Sequence, residues 1–308
     1  MKKARVTIGI CVRNCEETIE EVIDSVADQD FPHDFMELII VDDGSMDSTL
    51  ARVKRFASRS DMRTKVYHQS WKGLGAARNV VVQNACGQFI IWVDGDMKLP
   101  RDHVRKQVEF MDNNQKVGAA KARYKLLNSG KIVAVLENSR VFCLRSESSK
   151  IVGTGGSIYR VKAIREVGGF DKHISGAGED VDALLRMQKM GWLLSRTEAE
   201  FYERFKESWR DLWLEYYWWG YGAHYVWHKH KHAISIAARL PPVSFLTGFA
   251  RLLYAFRPYH KLIYLLLPVQ SIFKDAAWFF GFIRGHNDGY GHEIDTSIRG
   301  IHGVGGSY

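Results

Sequence analysis

Cysteine is scarce in this chain. The four present, Cys11, Cys15, Cys86 and Cys143, lie in or beside apolar runs and form no CxxC pair. That excludes a zinc knuckle or a secreted disulfide framework and reads as reduced core thiols in a cytosolic compartment. Also missing is an apolar run of the ~20 residues needed to cross a bilayer, because Arg251, Pro268, Lys274 and Asp275 interrupt the two apolar C-terminal stretches. There is no internal repeat. The opening MKKARVTIGICVRN is too short and too interrupted, by Arg13, for a signal peptide, and reads as a first β-strand.

What is abundant is apolar surface and positive charge. Of 308 residues, 46% are hydrophobic, enough for one large domain or a domain with an appendage, which argues against disorder. The formal charge of +8 favours an anionic partner: nucleic acid, a phosphorylated small molecule or an acidic membrane. Charge alone does not choose among them.

From Val6 to about Tyr225 strand-like and helix-like segments alternate, the pattern of an α/β domain with a mostly parallel sheet. VTIGICV, MELIIVDD, KVYHQ and QFIIWVD read as strands. Glu16 to Asp28, Ser48 to Ser58 and Ala76 to Ala85 read as the helices between them. After Ile234 the composition turns apolar and aromatic, and two readings stay open. These helices lie in a membrane interface, with Arg251, Arg257, Lys261 and Lys274 meeting lipid phosphates, or they form a cap on the domain. The expected layout is a domain over 1–233, a membrane-associating helical region over 234–284 and a glycine-rich, mobile tail over 285–308.

In an open parallel sheet, ligands bind at the carboxyl ends of the strands. Three acidic clusters fall at such ends or in the loops after them: Asp42-Asp43, Asp94 with Asp96, and Glu179-Asp180. An EF-hand fails for the second, since its fifth, sixth and twelfth positions are Lys98, Leu99 and Arg105. A turn with a helix-capping carboxylate accounts for one aspartate but not two. A hard divalent cation, magnesium or manganese, shared with a diphosphate accounts for both. Asp43 either accepts hydrogen bonds from a base or ribose or belongs to an ordinary Asx-turn. GLGAARN lacks the third glycine of a phosphate fingerprint and reads as a helix start with Arg78 near a bound anion. In the HKHKH run, His228 to His232, alternating lysines would repel a cation, so it reads as a basic surface rather than a metal site. The aromatic run Trp213 to Tyr225 reads as a helix packed at a wet apolar boundary.

Five stretches in order, ICVRNCEETI, VDDGSMDST, GLGAARN with GQFIIWVDGDM, GTGGSIYR leading to VGGFD, and GEDVDALLRMQKMGW, resemble the family 2 glycosyltransferases of GT-A fold. They cover about residues 6 to 195. The resemblance implies inverting, non-processive transfer of a sugar from a nucleoside diphosphate donor, UDP first and GDP second, to a hydroxyl of a glycan or lipid-linked acceptor. It implies a peripheral protein on the inner face of the cell membrane, and no nucleic-acid partner. By that likeness Asp180 is the general base, and Glu179, Gly155 and Gly156 position the acceptor or base. Val12, Asn14, Asp43, Arg78 and Asp94 line the nucleotide, and Asp96 with Asp94 binds Mg2+ or Mn2+.

Two departures from the family pattern matter. Where some relatives place a metal-site histidine, this chain reads YERFKESW, with Glu203 as a possible substitute ligand and Phe205 nearby. The Gln-x-x-Arg-Trp motif of processive synthases is missing. A non-catalytic nucleotide-sugar-binding or scaffolding protein on the same fold is the alternative reading. A nucleotidyltransferase would need a glycine-rich basic loop after the first strand, where the chain instead has VRNCEE.

Overall fold

The computed structural model describes residues 3–126, 130–143, 153–174, 176–204, 206–231, 234–259 and 262–289. Phe205, Lys261, His232 and most of the expected tail lie outside the described residues, as do the side chains of Cys143 and Arg257.

The first half alternates strand and helix as the apolar periodicity requires. In chain order it comprises β1 (Val6–Val12), α1 (Ile19–Ala27), β2 (Met36–Asp43), α2 (Thr49–Ala57), β3 (Arg63–Gln69), α3 (Leu74–Asn84), β4 (Phe89–Asp94), β5 (Met97–Lys98) and α4 (His103–Asn113). Then follow β6 (Val117–Leu126), α5 (Ile132–Cys143), β7 (Ser157–Arg160), α6 (Val161–Glu166), α7 (Glu179–Lys189), β8 (Leu193–Glu203), α8 (Trp209–Lys229), α9 (Pro241–Tyr259) and α10 (Leu267–Asp288). The eight strands form one sheet in the order β3-β2-β1-β4-β7-β6-β8-β5. The β3-β2-β1-β4 half is wholly parallel. Beyond it β7 runs antiparallel to both β4 and β6, β6 and β8 are parallel, and the short β5 is antiparallel to β8.

Successive side chains of a strand point to opposite faces, and the inner strands are apolar on both. Val6, Ile8, Ile10 and Val12 pack with Met36, Leu38 and Ile40 under α1, α2 and α4. Their alternates Cys11, Ile39, Val41, Ile90 and Trp92 pack under α3, α6 and α7. Cys11 and Cys15 are buried thiols not joined in a disulfide, and burial pushes Cys15 up to about 12. Cys86 is exposed, contrary to the core role expected of it, because it falls in the turn after α3.

The C-terminal helices pack on one another and on α5. Leu136 of α5 packs with Leu252 and Ala255 of α9, while Val133 packs with Leu212 and Tyr216 of α8 and Ala277 of α10. The aromatic run supplies these contacts, for example Trp213 edge-on to Phe273 at 5.1 Å between centroids. The opposite faces stay bare: Leu246, Phe249, Leu253, Leu262, Val269 and Phe280 are each more than two-fifths exposed. Leu262–Asp288 is long and apolar enough to cross a bilayer, yet 44% of its most apolar window is buried in the protein. Lys274 does not reach outward as expected, since its ammonium is buried against Glu137 at 2.6 Å.

Candidate active site

Parallel register brings the acidic ends of β2 and β4 together on either side of β1. Asp94 stands opposite Cys11 and Asp42 opposite Val12, at the carboxyl edge of the β2-β1-β4 ribbon. The turn after β4 carries Asp96, and β5 then pairs Met97 with Glu203 of β8. Asp94, Asp96 and Glu203 are thereby gathered from two chain regions at one end of the sheet.

A second group arrives on α7, whose first turn holds Glu179, Asp180 and Asp182. Arg78, one turn into α3, is 4% exposed and joins the two groups. Its Nη1 donates to Glu179, and its Nη2 lies 3.4 Å from Asp94 Oδ1. Although burial opposes the guanidinium charge, Glu179, Asp94 and Asp180 together hold it protonated. Asp180 accepts from the backbone amides of Thr154, at 3.2 Å, and Val181, at 2.7 Å. Its carboxylate therefore faces the Gly153–Thr154 loop and remains partly accessible.

Electrostatics distinguish the members. Burial, with Asp94 adding repulsion and Lys206 opposing at 3.9 Å, pushes Asp96 up to about 6. Burial followed by Asp96 and Asp94 pushes Glu203 up to about 8, against the pull of Lys121. Crowded, desolvated carboxylates of this kind are relieved by a hard cation, and an all-oxygen donor set fits magnesium or manganese. Lys121 was not anticipated. It stands on β6 with its ammonium donating to the Gly155 carbonyl, and burial lowers its pKa against the pull of Glu203, Asp94 and Asp180. A lone lysine in the alanine-rich VGAAKARY strand was the available signal, as was Lys206 beside the family's variable ligand position.

Several expected contacts take another form. Asp43 is fully buried, with Oδ1 accepting from Gln69 Nε2 and Lys72 N and Oδ2 from Gly73 N, so it anchors the loop into α3. The neighbouring Asp42 accepts from His68 at 2.8 Å. Arg78 is committed to carboxylates, where an open anion site was expected. The Val12 side chain is in the core, leaving only its backbone to line a ligand. Asn14 adopts φ +53° and accepts from Met46 N, organising the turn after β2. At Gly155 an added Cβ would strike the Asp94 carboxylate, and at Gly156 the Phe201 ring. Those glycines give room to protein atoms of the site. Of the histidine run, His230 turns to Asp182 at 2.9 Å.

An α/β sheet of this order, with an Asp-x-Asp turn after its fourth strand and an acidic helix start facing it, is the GT-A glycosyltransferase fold. A mannosyltransferase of Pyrobaculum calidifontis, solved with GDP-Man and Mn2+, shares it at TM-score 0.68 and 18% identity, over 94% of this chain and 89% of that one. Staphylococcus aureus TarS 1-349, solved with UDP-GlcNAc, matches at TM-score 0.54 and 18% identity, over 92% of this chain and 91% of that one. The profile of glycosyl transferase family 2 matches residues 7–168, and that of glycosyl transferase family group 2 matches 89–283. The chain belongs to glycosyl transferase family 2. Among curated relatives, S. aureus TarS, a poly(ribitol-phosphate) beta-N-acetylglucosaminyltransferase, is 32% identical over 33% of this chain but only 18% of its own length. The probable glycosyltransferase YdaM of Bacillus subtilis is 24% identical over 72% of this chain and 56% of its own.

Proposed function

We propose that the chain transfers a hexosyl-type sugar from a nucleoside diphosphate to an acceptor hydroxyl with inversion. The observation that supports this reading is the Arg78 bridge, which ties Glu179 in the first turn of α7 to Asp94 at the end of β4. Asp180 takes the acceptor's proton as its oxygen bonds to the anomeric carbon. The bond from that carbon to the diphosphate breaks on the opposite face, and the diphosphate leaves with the electron pair. Asp96 and Asp94, with Glu203 as a third oxygen donor, would hold Mg2+ or Mn2+, which supplies positive charge for the departing diphosphate. Glu179, fixed by Arg78, positions the α7 start. Lys121 adds a cation where negative charge accumulates and holds the Gly155 carbonyl.

UDP-sugars are the first choice of donor and GDP-sugars the second; the similar structures, which hold UDP-GlcNAc or GDP-Man, support both. The acceptor is a lipid-linked or cell-surface glycan precursor, and the protein works at the inner face of the cell membrane. The bare apolar faces of α9 and α10 support that placement. Calorimetry with UDP and GDP, with and without manganese, tests the donor site. Metal-dependent binding is expected in the wild type and lost in Asp96→Ala. Equal binding in both proteins would remove the Asp-x-Asp turn from the site.

A further inference from the structure

A cluster of three histidines lies between α8 and α10. His224 and His228 are four residues apart on α8, so they share one helix face. His286 comes from α10, beyond the end of the histidine run and 58 residues after His228. One nitrogen of each of the three rings lies within 4.8 Å of the others. Ring centroids are 5.3 Å apart for His224 and His228, 5.7 Å for His224 and His286, and 6.0 Å for His228 and His286.

The cause of this meeting is the closeness of the two helices. A Cβ on Gly220 would fall on the Trp278 carbonyl oxygen, and one on Gly281 on that of Tyr217. A Cβ on Gly285 would lie 2.7 Å from the Tyr221 carbonyl oxygen and 3.2 Å from His224 Nδ1. Tyr217 thus meets Gly281 and Tyr221 meets Gly285, four residues on in each helix, so α8 and α10 run side by side in the same direction. This close approach brings the short imidazoles of the two helices within reach of one another. Asp288, two residues past His286, accepts from Tyr221 Oη at 3.1 Å and pairs with Arg284 Nε at 3.0 Å, which fixes the end of α10 against α8.

We infer that His224, His228 and His286 form a second metal site, selective for a borderline divalent transition ion such as Zn2+, that clamps α8 to α10. Three imidazole nitrogens are the donor set such ions favour, whereas magnesium and manganese favour the oxygens of the cleft. Bonds of about 2.1 Å place tetrahedral ligands about 3.4 Å apart, so loading draws the rings inward by a small side-chain rotation. The fourth position is left for water or a further ligand. The clamp would join the helix following the catalytic sheet to the helix that carries part of the bare apolar face.

The test uses the untagged full chain, stripped with chelator and titrated with Co2+ while visible absorption is followed, then with Zn2+ in competition. One equivalent with the intense bands of four-coordinate cobalt is expected. His228→Ala and His286→Ala, both at accessible positions, should each weaken binding by more than the roughly 100-fold that loss of an outer-shell partner can cost. Asp96→Ala should leave the signal unchanged. Zn2+ should raise the thermal midpoint of the wild type but not of His286→Ala. Unaltered cobalt binding in both histidine variants, loss of it in Asp96→Ala, or no saturable binding by the wild type would each overturn the assignment and leave the rings as aromatic packing.

Discussion

The Lys274–Glu137 pair offers a sharp energetic test of how the C-terminal helices are attached. Lys274 Nζ donates to Glu137 Oε1 at 2.6 Å, the two side chains being 4% and 2% exposed, and the ammonium lies 5.0 Å from the Tyr216 ring centre. The pair links α10 to α5, so it spans the boundary expected between domain and appendage. Desolvating both ions costs several kcal/mol each, offset by their mutual attraction. Lys274→Met removes the ammonium but leaves the carboxylate in its dry setting. A loss of about 3 to 5 kcal/mol is expected, and Glu137→Met should lose a similar amount. The double variant removes both desolvation costs and should return to within about 1 kcal/mol of the wild type. Urea unfolding followed by tryptophan fluorescence measures all four corners of the cycle, with nine tryptophans in the chain as reporters. Additive losses in the double variant, or single losses below about 1 kcal/mol, would refute strong coupling between the two charges.

Further outcomes are expected. Asp180→Asn should abolish sugar transfer while keeping UDP or GDP affinity within a few-fold; turnover near the wild-type rate would remove Asp180 as the base. Burial lowers His103 to about 4, so between pH 6.5 and 4 the unfolded chain binds the extra proton and stability falls as the solution is acidified. The loss from this residue between pH 7 and pH 5 is about 2 kcal/mol. His103→Gln should flatten that slope in urea titrations, and an unchanged slope would contradict the assignment. Leu246→Asp with Phe249→Asp, on the bare face of α9, should reduce sedimentation with anionic vesicles at least ten-fold without altering UDP or GDP binding; undiminished sedimentation would place the membrane contact elsewhere.

The parallel half of the sheet was legible because β1, β2 and β4 are continuous apolar runs, and the helices between them were placed to within about a turn. The mixed half was not. β5 has two residues, β7 four, and β8 has the alternating half-exposed pattern LLSRTEAEFYE, so their pairing depends on partners distant in sequence. The acidic framework was legible as residue types at strand ends. What each carboxylate touches was not, since the amides that hold Asp43 come from a loop some thirty residues on. Arg78 likewise meets Glu179 across 101 residues of sequence. The bare and buried faces of α10 alternate along one apolar segment, which is why composition alone left two readings of it open.

A single guanidinium shared by two carboxylates has a thermodynamic consequence. Arg78 divides its charge between Asp94 on one flank of the cleft and Glu179 on the other. Whatever draws on Asp94 releases more of that charge to Glu179, and whatever neutralises Glu179 returns it to Asp94. Were each flank to bind a ligand, any coupling through Arg78 would be equal in both directions, because linkage between binding sites is reciprocal. The cleft acts as a balance with Arg78 as its pivot, and the order in which two ligands arrive changes the path but not the final affinity of the pair.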